Sequence, residues 1–191
     1  MDITPEVAAR LGFPRPQYTA IERERRWLCG PVPHEQVLRT EAITDLYVTG
    51  ARLRLREARP TDGGPARLRL TRKADVDAHT RLITSIYLPE HEFAVLAASL
   101  QGPRIRKLRH RLHPIDGIAL IVDEFQDALA GLFLAELEFE TPDELAAYPG
   151  PSFALREVTE DARYTGARLA VEGLPSELVV HSRPDTATFK T

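Results

Sequence analysis

The stretch Arg52-Leu53-Arg54-Leu55-Arg56-Glu57-Ala58-Arg59-Pro60-Thr61-Asp62-Gly63-Gly64-Pro65-Ala66-Arg67-Leu68-Arg69-Leu70-Thr71-Arg72-Lys73 decides the fold class. Residues two apart on a strand share a face. Read as a strand, 51–58 places Arg52, Arg54 and Arg56 on one face and Leu53 and Leu55 on the other. Residues 66–73 likewise set Arg67, Arg69, Thr71 and Lys73 against Leu68, Leu70 and Arg72. The segment from Arg59 to Pro65, with two prolines, an aspartate and two adjacent glycines, has the composition of a hairpin loop. Two basic strands are thereby paired, and like charges facing one another across strands repel. Either water and salt screen them on an outer face, or an anion lies between them.

The same alternation recurs at 19–28, 42–48, 81–88, 104–112, 118–125 and 131–140, which makes eight strands in all. Helices are fewer. Residues 89–100 have apolar positions at 93, 96, 97 and 100 and stop at Gly102-Pro103. Thr141-Pro142-Asp143-Glu144 reads as a helix start, with an N-cap threonine, a first-turn proline and acids at the positive helix end. Short helices or turns are expected at Thr4-Pro5, Thr159-Glu160-Asp161 and 166–172, and Pro114-Ile115-Asp116-Gly117 reads as a turn. The pattern predicts a mainly β (α+β) fold, either a sandwich or a barrel; a closed barrel leaves no strand edge exposed.

The length of 191 residues suits one domain with one sizeable core. Charged residues make up 28% and the formal net charge is only -3, so global charge points neither to nucleic acid nor to a membrane. Lys and Arg, 25 in number, instead fall in clusters. The single cysteine, Cys29, rules out an intrachain disulfide and a cysteine-based zinc site, and its apolar context predicts a buried thiol. The N-terminus lacks a basic region followed by an apolar run, and no stretch is long and apolar enough for a membrane span, so a cytoplasmic protein is expected. None of the six histidines has metal-ligand spacing.

The charged faces of the other strands are equally uniform. Glu22, Glu24 and Arg26 share one face, as do Lys107, Arg109 and Arg111, and Glu136, Glu138 and Glu140. If these faces line a lumen, Arg and Lys converge there on phosphate oxygens, and the carboxylates offer the oxygen ligands that Mg²⁺ or Mn²⁺ prefers.

The motifs resemble the CYTH family, also called triphosphate tunnel metalloenzymes. Glu22-Arg23-Glu24-Arg25-Arg26-Trp27-Leu28 is similar to the family's N-terminal signature of alternate glutamates followed by an alternate lysine. The similarity continues, in family order, through Tyr47, Arg52-Leu53-Arg54-Leu55-Arg56, Leu70-Thr71-Arg72-Lys73 and Lys107-Leu108-Arg109. It then runs through Val122-Asp123-Glu124-Phe125, Ala135-Glu136-Leu137-Glu138-Phe139 and Glu157-Val158-Thr159-Glu160-Asp161-Ala162-Arg163-Tyr164. The resemblance implies an eight-stranded closed antiparallel β-barrel with a tunnel. It would span 19–174, with an N-terminal extension at 1–18 and a flexible tail at 175–191. It further implies metal-dependent hydrolysis of a triphosphate, inorganic tripolyphosphate or an organic one. Glu22, Glu24, Glu138 and Glu136 would bind Mg²⁺ or Mn²⁺, while Arg26, Arg54, Arg56, Lys73, Lys107, Arg109 and Arg163 would bind phosphates. Lys107 matches a lysine proposed to activate the attacking water, and Arg26 would share the catalytic role. A homodimer is implied as well.

Three departures stand out. Arg26 replaces the signature lysine, Ile83 and Ser85 stand where many members carry acids, and Ala162 stands where lysine is frequent. They support a second reading, a polyphosphate- or nucleotide-binding module without efficient turnover. A third, adenylyl cyclase, needs a nucleobase pocket that the sequence does not display. Asp123 is read as either a carboxylate behind the site or a strand-end cap, and Tyr47 as either a tunnel or a packing residue. Arg67, Arg69, Arg104 and Arg111 are expected on a solvated rim.

Overall fold

The computed structural model describes residues 3–13, 15–114 and 117–179. The alternating segments form β1 (Ala20–Cys29), β2 (Val37–Tyr47), β3 (Leu53–Pro60), β4 (Arg67–Asp75), β5 (Thr80–Tyr87), β6 (Arg104–Leu112), β7 (Ile121–Phe125) and β8 (Phe133–Glu138). They hydrogen-bond in the order β5-β4-β3-β2-β6-β7-β8-β1, and β1 pairs back onto β5. Every pairing in the ring is antiparallel. The result is the closed eight-stranded barrel that the resemblance implied, which settles barrel against sandwich.

β1 closes the ring. Its first half, Ala20 to Arg23, pairs with β5, and its second half, Glu24 to Leu28, pairs with β8. A short strand that the alternation did not disclose, β9 (Ala154–Glu157), pairs with β1 at Trp27 to Cys29. Four residues are too few for a period of two to stand out.

Around the barrel lie α1 (Pro5–Arg10), α2 (Glu90–Ser99), α3 (Pro142–Ala147), α4 (Gly166–Glu172) and α5 (Ser176–Val179). Thr141 and Glu144 form a reciprocal capping box at the start of α3, as the sequence signals there require. The expected turn at 159–161 becomes a single 3₁₀ turn, Ala162–Tyr164, capped by Asp161. Half of the expected turn at Pro114–Gly117, namely Ile115 and Asp116, lies outside the described residues, as do residues 180–191 of the tail expected at 175–191, whose described start carries α5.

Polar side chains fill much of the lumen, so the apolar faces of the wall are covered from outside. Ala8 and Phe13 cover Ala74 and Leu82. Tyr148 and Phe153 pack on the cluster of Trp27, Leu112, Val122, Ala135 and Leu137. Cys29 belongs to that cluster, and burial pushes its thiol up to about 11, the inert state that its context predicts. At one end the inward positions turn apolar. Leu28, Ile105, Phe125 and Leu134 meet Val158, Tyr164 and Leu169, which form a floor. Gly102 is fixed by a close approach rather than by helix termination alone: a Cβ there would sit 1.8 Å from the Tyr47 carbonyl oxygen.

Candidate functional site: a charged tunnel

The pairing register decides which charges meet. Glu24 lies opposite Glu138, and Arg26 opposite Glu136, across β1 and β8. Glu22 lies opposite Arg81 across β1 and β5. Arg54 faces Tyr47 and Arg56 faces Asp45 across β2 and β3, while Arg109 faces Asp123 across β6 and β7. All of these side chains except Asp45 and Asp123, which lie behind the wall, line a cavity of about 630 Å³. It adjoins a second of about 360 Å³, with Arg56, Arg69, Arg109, Glu136 and Glu138 common to both walls. A larger, more open groove of about 790 Å³ lies outside the barrel, where Arg25 and Glu157 already pair with each other.

Two aspartates organise the basic wall. Asp45 is fully buried and accepts a bidentate pair from Arg56 at 2.6 and 2.6 Å, with Arg54 at 3.6 Å. Asp123, also fully buried, accepts from Lys107 and, at 2.7 and 2.6 Å, from Arg109. Burial opposes ionisation of both carboxyls, but their cationic partners outweigh it and hold both below the usual range. Asp123 is therefore a carboxylate behind the site, not a strand-end cap. Asp45 escaped sequence reading because a lone acid in an otherwise ordinary strand carries no motif; its shared parity with Tyr47 was the available signal. Tyr47 does both things expected of it, lining the tunnel and packing on the floor. Burial and the nearby Asp45 push its phenol up to about 12.

The acidic wall is partly closed on cations. Lys73 Nζ lies 2.5 Å from Glu22, and Arg81 pairs with Glu24, lies 3.8 Å from Glu22 and donates to Asp75 at 2.8 Å. Burial alone would raise the Glu24 carboxyl, but Arg81, Lys73 and Arg26 hold it at about 2. Glu138 differs. It faces the tunnel opening and has no ion pair or hydrogen bond among the described residues. Burial, then Glu22 and Glu24, push its carboxyl upward. A carboxylate whose ionisation its neighbours oppose is where a cation gains most. Glu22, Glu24 and Glu138 supply hard oxygen donors, and Glu138 adds negative charge that no ion pair answers among the described residues, which fits Mg²⁺ or Mn²⁺. As placed, however, no three His, Cys, Asp or Glu groups among the described residues converge on one metal position. Glu22 and Glu24 must turn from Lys73 and Arg81 to do so. Glu136 instead accepts from Arg109 at 2.7 Å.

The other expected residues divide. Arg54, Arg56, Lys73, Lys107 and Arg109 all line the tunnel. Arg26 lines it too, but its guanidinium donates to the Tyr164 carbonyl at 2.9 Å and sits 3.4 Å from Glu24, so it braces the floor and the acidic wall. Arg163 is a correction: its half-exposed guanidinium bonds Asp161 and Glu177 and does not line the tunnel. The 3₁₀ turn that caps on Asp161 aims Tyr164, not Arg163, at the barrel. Arg69 and Arg111 are corrected in the opposite sense. They line the second cavity instead of a solvated rim, while Arg104 is exposed and Arg67 pairs with Glu41 at 2.6 Å. Ile83 lines the lumen, and Ser85 bonds Thr71 at 2.7 Å. Arg81 carried no motif and escaped sequence reading. Its parity with Ile83 and Ser85 was the only clue.

A closed antiparallel barrel with basic and acidic walls facing a common lumen defines a class of polyanion-binding tunnel proteins. The comparisons narrow this. The inorganic triphosphatase of Nitrosomonas europaea is 32% identical over 119 residues, 59% of this chain and 78% of that one. The inorganic triphosphatase of Acetivibrio thermocellus is 39% identical over 75 residues, 39% of this chain and 46% of that protein. A crystal structure of an inorganic triphosphatase superposes with a TM-score of 0.55 at 26% identity, covering 81% of this chain and 96% of that one. No family model matches. The chain belongs to the family of these inorganic triphosphatases.

Proposed function

We propose that this chain is a CYTH-type triphosphate tunnel metalloenzyme that hydrolyses a triphosphate, with inorganic tripolyphosphate as the preferred substrate. The observation that carries the reading is the convergence of Arg54, Arg56, Lys73, Lys107 and Arg109 in one cavity with Glu22, Glu24 and Glu138. The names of the two relatives support the inorganic substrate.

In this reading Arg54, Arg56 and Arg109 hold phosphate oxygens, their orientation set in advance by Asp45 and Asp123, so little reorganisation is needed as charge develops. Lys73 neutralises a further phosphate when Glu22 turns away. Burial lowers the pKa of Lys107 against the pull of Asp123, and the neutral form of its amine, freed from that pair, would take a proton from water. The water oxygen bonds to the terminal phosphorus, the bridging P–O bond breaks, and orthophosphate and pyrophosphate result. Glu22, Glu24 and Glu138 would hold Mg²⁺ or Mn²⁺, which supplies Lewis-acid polarisation of the phosphate oxygens when bound. Arg26 positions Glu24 and the floor; Arg163 has no part. A homodimer is carried by the family resemblance alone, and a cytoplasmic location by the reading of the N-terminus and of the apolar stretches. No helix among the described residues is long and apolar enough to cross a membrane.

One observation favours a binding module without turnover: Glu22 and Glu24 are closed on Lys73 and Arg81, with Ile83 and Ser85 adding no acid. Phosphate release from tripolyphosphate, thiamine triphosphate and ATP, each with Mg²⁺, Mn²⁺ or chelator, separates the two. Hydrolysis, metal-dependent and fastest on tripolyphosphate, is expected. Tight binding of tripolyphosphate with no release under any condition would establish the module.

A further inference from the structure

Five arginines line the second cavity: Arg56, Arg67, Arg69, Arg109 and Arg111. Three are answered by acids, Arg56 by Asp45, Arg67 by Glu41, and Arg109 by Asp123 and Glu136. Arg69 and Arg111 have no ion pair or hydrogen bond among the described residues. The Arg111 Nε is buried without an acceptor, an arrangement that native proteins rarely leave unanswered. Arg69 stands directly opposite Arg56 across β3 and β4, and of the two Asp45 answers Arg56 alone, so the like-charge contact leaves Arg69 without a counter-ion among the described residues. Burial, with Arg56 and Arg54 for Arg69 and Arg39 for Arg111, disfavours both cations. The exposed Tyr87, paired with Arg69 across β4 and β5, adds a hydroxyl at the opening.

We propose that Arg69 and Arg111 form a second anion station in this cavity, built for a single phosphate group, with Glu41, Glu136 and Glu138 also on the cavity wall and Glu22 and Glu24 outside it. The guanidinium fork suits two oxygens of a tetrahedral phosphate, and about 360 Å³ admits the group with its waters. The phosphate has two possible sources, free orthophosphate leaving the tunnel or the end of a linear polyphosphate longer than three units. The station itself stands on the arginines; its place in turnover rests on the proposed hydrolysis.

The test is calorimetric titration of orthophosphate into the chelated protein, where no turnover occurs. Arg69→Gln and Arg111→Gln are each expected to weaken binding at least tenfold. Arg104→Gln, which removes an exposed arginine outside both cavities, should change it less than twofold. Arg111→Lys, which keeps charge but not the fork, should fall between and guards against a folding artefact. KM values for tripolyphosphate and a longer linear polyphosphate then separate the sources. A rise confined to the longer chain identifies a chain end; unchanged values for both identify free orthophosphate. Binding unchanged in both glutamine variants, or an equal loss in Arg104→Gln, would overturn the station. Orthophosphate binding through Arg69 and Arg111 in a protein that hydrolyses nothing would leave the station standing and remove the proposed function.

Discussion

Asp123→Asn is the substitution that most sharply separates a built phosphate wall from an incidental salt bridge. Asp123 is fully buried and answers two cations, Lys107 and Arg109. Asparagine keeps the shape but removes the charge, so Lys107 and half of the charge balance of Arg109 lose their partner. Glu136 still accepts from Arg109. Breaking a buried pair from one side costs about 3–5 kcal/mol. At roughly 2–4 °C per kcal/mol for a domain of this size, the midpoint should drop by about 6–20 °C. Thermal and urea unfolding of the chelated protein would measure it. The structure adds a sign that ordinary destabilisation lacks. Tripolyphosphate brings negative charge to the same cations, so it should stabilise Asp123→Asn more than wild type and narrow the gap. A loss below about 1 kcal/mol, or a gap that tripolyphosphate leaves unchanged, would refute the assignment of Asp123 as the counter-charge of a phosphate wall.

Other consequences follow from the acidic wall and the floor. The raised carboxyl of Glu138 gives stability that is fully present below its unfolded value of 4.5 and lost as pH rises through the folded value. Glu138→Gln should therefore melt above wild type at pH 7 in chelator, match it below pH 4.5, and lose its advantage when Mg²⁺ is added; equal melting at pH 7 would count against the carboxylate cluster. Arg81→Met removes the cation that closes Glu24, so Mn²⁺ affinity measured by electron paramagnetic resonance should rise while the metal-free protein loses stability. Unchanged Mn²⁺ affinity would show that Arg81 does not compete for the site. A Cβ at Gly166 would meet the Tyr47 hydroxyl at 2.0 Å, so Gly166→Ala should cost about 1–3 kcal/mol in urea unfolding, and adding Tyr47→Phe should recover part of it.

The barrel was legible because parity is a local property. Arg54 and Arg56, or Lys107 and Arg109, declare a common face within a single strand, and Gly and Pro mark the ends. What parity omits is which strand lies across. Asp45 and Arg81 acquire their meaning only from the register, Asp45 opposite Arg56 and Arg81 opposite Glu22. No spacing along the chain encodes those pairs. Arg163 shows the converse. It sits within a well-matched motif, yet the 3₁₀ turn capped by Asp161 directs it outward to Asp161 and Glu177. The rim expected for Arg69 and Arg111 failed for the same reason, since the side of a wall that faces solvent depends on how the ring closes.

In the proposed function, one lumen holds a metal on its acidic wall and phosphates on its basic wall. A crystal of the protein grown with Mn²⁺ and a non-hydrolysable tripolyphosphate analogue tests this in one anomalous difference map. A Mn²⁺ peak is expected between Glu22, Glu24 and Glu138, with Glu22 and Glu24 turned from Lys73 and Arg81, and phosphates against Arg54, Arg56 and Arg109. A metal bound elsewhere, or phosphates seated outside the barrel with Glu22 and Glu24 still paired to Lys73 and Arg81, would contradict it.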